Sequence, residues 1–204
     1  MEIDYNRDEA LKEQFNGFFK QFGIEDLYSK LSNEQLINLK KLLSCINNII
    51  TLRTTDAFVE KLFEDKFITL EEKEKILTKV RAQHANTNGY DVRYDGEYGD
   101  KKIIAEVKCN LPVNKTSFGA AQEEGILDDI HHLLTGKKKE NINDIASYYK
   151  FMVIMSWENI DICVDKIINK KEHVKLYTNP AEIDTENVFV VIAENRKYQQ
   201  QSYK

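Results

Sequence analysis

The chain has 204 residues, a formal net charge of −5, 42% hydrophobic and 31% charged residues. That is enough apolar material for one good core with a small appended subdomain, and the acidic balance speaks against a protein that holds polyanions by bulk charge alone. No apolar run is long enough to cross a bilayer, no charged-then-apolar leader opens the chain, and Cys45, Cys109 and Cys163 form no CxxC pair; a soluble chain in a reducing cytoplasm, with no membrane partner, is expected.

Residues 1–68 read as successive helices. Asp8 to Phe22 places Leu11, Phe15, Phe18, Phe19 and Phe22 on one side. Ser32-Asn-Glu-Gln35 caps a second helix carrying Leu36, Leu39, Leu42, Leu43, Ile46 and Ile50, and Asp56 is placed to cap a third that turns Phe58, Val59, Leu62 and Phe63 inward. These stripes suit a helical layer packed on a core; such a layer could also serve as a dimer surface or a target-recognition lobe. Thr69-Leu-Glu-Glu72 is a further capping box and predicts a helix to about Ala85, with Leu70, Glu74, Leu77, Arg81 and His84 along one face.

The segment from Asn88 to Asn110 carries the chemistry. Side chains alternate across a strand, so Tyr90, Val92 and Tyr94 form an apolar set and Asp91, Arg93 and Asp95 a polar one. In the second half, Ile103, Ala105, Val107 and Cys109 read as core, while Glu106, Lys108 and Asn110 share the other face. Asp95-Gly96 and Gly99-Asp100 supply the turn residues of a hairpin loop. A loop centred between residues 97 and 99 sets Asp91 close to Glu106 and displaces Asp95, so Asp91 is the preferred ligand and Asp95 the second choice. Two carboxylates and an ammonium on one face suit magnesium, which binds through one or two carboxylates, waters and phosphate oxygens. Lys108 is then placed to orient an attacking water or to stabilise charge on phosphorus. The same pattern also arises on a wet hairpin face, where charges only cover the sheet.

Residues 118–134 predict an amphipathic helix, with Gln122 preceding Ile126 and Ile130 along its apolar stripe and Gly136 near its end. His131 and His132 lack Cys or His partners at zinc spacing and read as surface residues. Lys101-Lys102, Lys137-Lys138-Lys139 and Lys170-Lys171 could each neutralise a phosphate or simply stay solvated. Residues 149–157 predict a buried strand, 159–170 a helix, 188–193 a second apolar strand, and 199–204 a polar tail.

At Asp91, Glu106 and Lys108 the chain resembles the PD-(D/E)XK nuclease superfamily, which includes many restriction endonucleases. The match covers about residues 69–160, with Tyr90 where the family's motif has proline. The resemblance implies an α/β fold: a restriction-endonuclease-like core over 69–198, a mixed central sheet flanked by helices, with an N-terminal helical layer over 1–68. It implies magnesium, with manganese able to substitute, held by Asp91 and Glu106, and Lys108 assisting hydrolysis. Some members carry a further acid on the preceding helix, for which Glu74 is the candidate beside the alternative of an exposed surface acid. Several carry a glutamine on the following helix that points into the site, for which Gln122 is the candidate beside the alternative of a wet first-turn residue. The expected function is a magnesium-dependent endonuclease acting on double-stranded DNA, a type II restriction or related defence enzyme. A homodimer follows if both strands of a symmetric site are cut. A repair, structure-selective or RNA-cleaving nuclease of the same fold, and a non-catalytic interaction module, are the alternatives.

Overall fold

The computed structural model describes residues 6–83, 89–96, 101–140 and 142–194, the Ser44 side chain excepted. His84, Ala85, the hairpin tip at 97–100 and the tail at 199–204 lie outside the described residues. The chain divides into two compact units, Met1–Ile46 and Asn47–Lys204.

In the first unit, helix α1 spans Arg7–Lys20. The Asn6 side chain accepts hydrogen bonds from the Asp8 and Glu9 N–H groups, and acids in the first turn with Lys20 in the last complement the helix dipole. A 3-10 turn at Tyr28–Lys30 folds back on α1: Tyr28 N–H donates to Asn16 Oδ1 at 2.9 Å and its hydroxyl to Asp8 at 2.7 Å. Ser32 and Gln35 then exchange reciprocal hydrogen bonds at the start of α2, as the capping box predicts.

Helix α2 runs without a break over Asn33–Glu64, where two helices were expected. Asp56 caps nothing; its carboxylate meets Arg81 at 3.3 Å. The Thr54 and Thr55 hydroxyls donate to the carbonyls of Ile50 and Thr51, one turn back, so these polar residues are satisfied inside the helix. Helix α3, Leu70–Ala82, opens on the expected Thr69/Glu72 capping box. Its buried face is Glu72, Ile76 and Leu77. The face predicted through Leu70, Glu74, Leu77 and Arg81 shares Leu77 with it but is otherwise rotated by roughly 100°, one residue step, and Leu70, Glu74 and Arg81 are exposed.

Five strands follow: β1 Val92–Tyr94, β2 Ile103–Lys108, β3 Tyr149–Met155, β4 Val174–Leu176 and β5 Val188–Ala193. They form one mixed sheet in the order β1-β2-β3-β5-β4, with β1 antiparallel to β2 and the remaining pairs parallel. Strand β4 was not expected; it is short, and only Val174 is buried. Helix α4, Ala120–Thr135, crosses β2 and β3, and α5, Ile160–Ile168, packs on β5.

The strands bury both faces, which is why β2, β3 and β5 read as near-continuous apolar runs. Ile103, Ala105, Val107, Phe151 and Val153 join Phe58, Leu62 and Ile76 of α2 and α3 in one cluster. Ile104, Met152, Ile154 and Val190 join Ile126, Ile130 and Leu133 of α4 and Val164 of α5 in the other. The expected mixed sheet with helices on both faces is what the chain forms. Glu106 and Lys108 have the parity of Ile104, so they lie on the α4 side. Tyr90 departs from the expected alternation: it belongs to the α4-side cluster, apart from Val92 and Tyr94. A bend at Asp91 precedes β1 and turns the ring under α4. Among the described residues no helix is long and apolar enough to cross a membrane.

Candidate functional site

Strand β1 pairs with β2 through Val92↔Ala105, Arg93↔Ile104 and Tyr94↔Ile103. Carried one step back, that register sets Asp91 opposite Glu106. Asp91 Oδ2 accepts a hydrogen bond from the Val107 N–H at 2.7 Å, which fixes the carboxylate at the strand edge and leaves Oδ1 for another ligand. Asp95 is engaged elsewhere: Arg93 Nε and the Tyr148 hydroxyl each donate to it at 2.7 Å. Burial works against its charge, yet these bonds hold its carboxyl below the ordinary range.

Glu106 is the polar exception in a buried strand, 6% exposed. Its Oε1 is shielded from solvent and makes no hydrogen bond. The Lys137 ammonium lies 2.5 Å away as an ion pair without hydrogen-bond angles. Lys137 is brought there by the end of α4. Gly136 takes φ 89°, a conformation that favours glycine, and reverses the chain toward the start of β1. The Lys137 ammonium then donates to the Gly89 carbonyl at 2.7 Å and sits 5.0 Å above the Tyr90 ring. The Tyr90 hydroxyl accepts from the Lys137 backbone N–H and donates to the His132 carbonyl, tying α4 to the entry of β1.

Lys108, on the same face of β2 two residues on, pairs with Asp129 of α4. His132 Nδ1 stands 4.0 Å from the other Asp129 oxygen. Among the described residues the half-buried centre thus holds three carboxylates, Asp91, Glu106 and Asp129, and two ammonium groups, Lys108 and Lys137. Burial pushes the Glu106 carboxyl up to about 7; Lys137 opposes the shift while Asp91 and Asp129 add to it. Burial also raises Asp91, against the pull of the Val107 N–H, Lys137 and Lys108.

Asp91, Glu106 and Lys108 therefore come together on one side of the sheet edge. Gln122 does not join them. Its Oε1 accepts from the Gly119 N–H at 3.1 Å, closing the first turn of α4, and it stands seven residues from Asp129, roughly 10 Å along the helix axis. Glu74 lies exposed on α3. Two residues of the centre were not singled out from the sequence. Asp129 falls three residues after Ile126 and four before Leu133, so the helical period could have found it. Lys137 was read only as one of three loop lysines. Among the other basic pairs, Lys170 is committed to Glu123, and Lys102 donates to Ser147 at 3.3 Å.

Among the described residues no group of three or more His, Cys, Asp or Glu side chains is arranged to hold a metal ion. Magnesium asks for less: one or two carboxylates, with waters and substrate phosphate completing six positions. Asp91 and Glu106 are the two carboxylates that could meet that demand, and the Lys137 ammonium, 2.5 Å from the Glu106 Oε1, occupies the place a cation would take. Compared with protein-family models, with curated proteins and with solved structures, the chain matches none of them.

Proposed function

We propose that the chain is a magnesium-dependent nuclease with a restriction-endonuclease-like core, hydrolysing phosphodiester bonds of double-stranded DNA in a restriction or related defence role. The observation that carries this reading is the register that sets Asp91 opposite Glu106 at the sheet edge, with Lys108 on the same face of β2. Magnesium held by the two carboxylates would supply Lewis-acid polarisation of a phosphate oxygen. The Val107 N–H holds the Asp91 carboxylate against β2, beside Glu106. Asp129 holds the Lys108 ammonium in place, so that it meets charge developing on the phosphate without reorganisation. Exchange of that ammonium from Asp129 to the phosphate belongs to substrate binding. Lys137 supplies a second positive charge at the same edge, which a chain of net charge −5 needs locally.

One observation favours a second reading, a non-catalytic module that keeps the fold: both ammonium groups of the centre are already paired with its own carboxylates. The deciding experiment is cleavage of a panel of plasmid and phage DNA with and without magnesium, by the wild type, Glu106→Ala and Lys108→Ala. Discrete fragments whose rate falls at least about 10²-fold in both variants are expected. Activity only on RNA or branched DNA moves the substrate within the nuclease reading, and metal-independent inactivity on every substrate supports the non-catalytic module.

A further inference from the structure

The described residues of the first unit form no buried core of their own. None of them is buried, although the unit's sequence is rich in large apolar side chains. Helix α1 and the turn after it show Leu11, Phe18 and Phe22 exposed, Phe18 at 53%. The first half of α2 gathers Leu36, Leu39, Leu42, Leu43 and Ile46 in one stripe, roughly a third of its circumference, with Leu43 at 54% exposure. An apolar stripe of this kind faces a packing partner, and short helices take most of their stability from the packing of an apolar face.

Chains of about this size usually need a disulfide, a metal or association with another chain. Cys45 is the unit's single cysteine and is free, so no disulfide can close within it. Among the described residues no metal-holding group is present. Association is what remains. Seven exposed residues, Leu11, Phe18, Phe22, Ile24, Leu42, Leu43 and Ile46, show about half of their surfaces. With roughly 150–200 Å² per large side chain, they present on the order of 600 Å². One side of a standard specific interface is about 800 Å², and patches of this size on a lone monomer are uncommon.

We infer that the first unit is the interface of a homodimer, in which α1 and the first half of α2 of two copies pack as a four-helix arrangement. A second copy brings an identical apolar face, as a two-fold interface requires. The flanking charges suit self-association: Asp8, Glu9, Glu13, Glu25, Asp26 and Glu34 are interspersed with Arg7, Lys12, Lys20, Lys30, Lys40 and Lys41, so no single-sign field opposes it. The inference is independent of the nuclease reading.

Sedimentation equilibrium of the full chain from about 1 to 100 µM tests it, comparing the wild type with Leu43→Glu/Ile46→Glu. Both positions are exposed, so the charges leave the fold of the single chain intact, and a thermal melt verifies this. The expected result is a wild-type dimer and a variant shifted at least about tenfold toward monomer. A spin label on the exposed Cys45 should then report a distance between copies in the wild type that the variant loses. A wild-type monomer across the range overturns the inference, whether the face docks on its own chain, on a lipid vesicle or on another protein. A dimer that survives both glutamates overturns it as well.

Discussion

Glu106 is where burial and charge oppose each other most directly. Its carboxyl is raised by burial from 4.5 to about 7 in the folded chain, so the native state holds this proton more tightly than the unfolded state does. Below about pH 4.5 both states are protonated and nothing is lost; as pH rises to about 7 the native state must give up a proton it favours, and stability falls by about 3 kcal/mol. Glu106→Gln removes that titration. Urea unfolding of both proteins at about pH 4 and about pH 8 should show the stability of the variant rising relative to the wild type by roughly this amount between the two conditions. An unchanged difference would mean that Lys137 fully compensates the ionised carboxylate. Asp91, Glu106 and Lys108 were legible because strand alternation and hairpin register are short-range rules that three residues can satisfy by themselves. Lys137 was not, because its place beside Glu106 depends on one positive-φ glycine and on a contact across the sheet edge. Gln122 and Glu74 show the reverse case: a residue type suited to a site, spent in one instance on a helix cap and in the other left on the surface.

Helix α4 contributes most through its two ends and one inner position. Gly136 terminates it at φ 89° and ψ 149°, a region essentially reserved for glycine, and a Cβ placed there would meet no atom within 4 Å. Gly136→Ala therefore adds no clash, and its cost is that of the backbone alone, about 1–3 kcal/mol. Chemical denaturation should register this loss, and a cost near zero would show that the end of α4 relaxes into another turn. Because Gly136 aims Lys137, the same variant should also shift the titration of Glu106. The helix boundaries illustrate what local sequence can carry. The capping boxes at Ser32 and Thr69 and the strand Val188–Ala193 were legible as they stand, since each is decided by neighbours in sequence. The continuity of α2 through Asp56 was not. An aspartate can cap a helix or pair across it, and the choice fell to Arg81, on another helix. The facing of α3 was read correctly only at Leu77, for a related reason: Leu70 suggested a stripe, but the core took Ile76 beside Leu77 and left Leu70 at 58% exposure.

The α/β class of the whole chain could be read from its sequence because runs such as 149–155 and 188–193 are too apolar for anything but strands covered on both faces. The division after Ile46 could not: no glycine or proline interrupts residues 24–88, and α2 passes through the boundary as a single helix. A boundary inside a helix leaves no punctuation, only a change from positions that stay exposed to positions such as Phe58 and Leu62 that are fully buried. That change has a measurable consequence. Amides open with free energies that follow local packing, so those of β2, β3 and β5 should exchange only through global unfolding. Those of α1 and of α2 before Ile46, which rest on no buried residue of their own unit, should exchange far sooner in dilute solution. If a second copy covers the apolar face, their protection must rise with protein concentration by mass action, while the sheet's protection stays constant. Hydrogen exchange followed by mass spectrometry at about 1 and about 100 µM separates the two behaviours. Concentration-independent protection in residues 7–46 would place the source of their order within the single chain, and the exposure of Phe18 and Phe22 would then need another explanation.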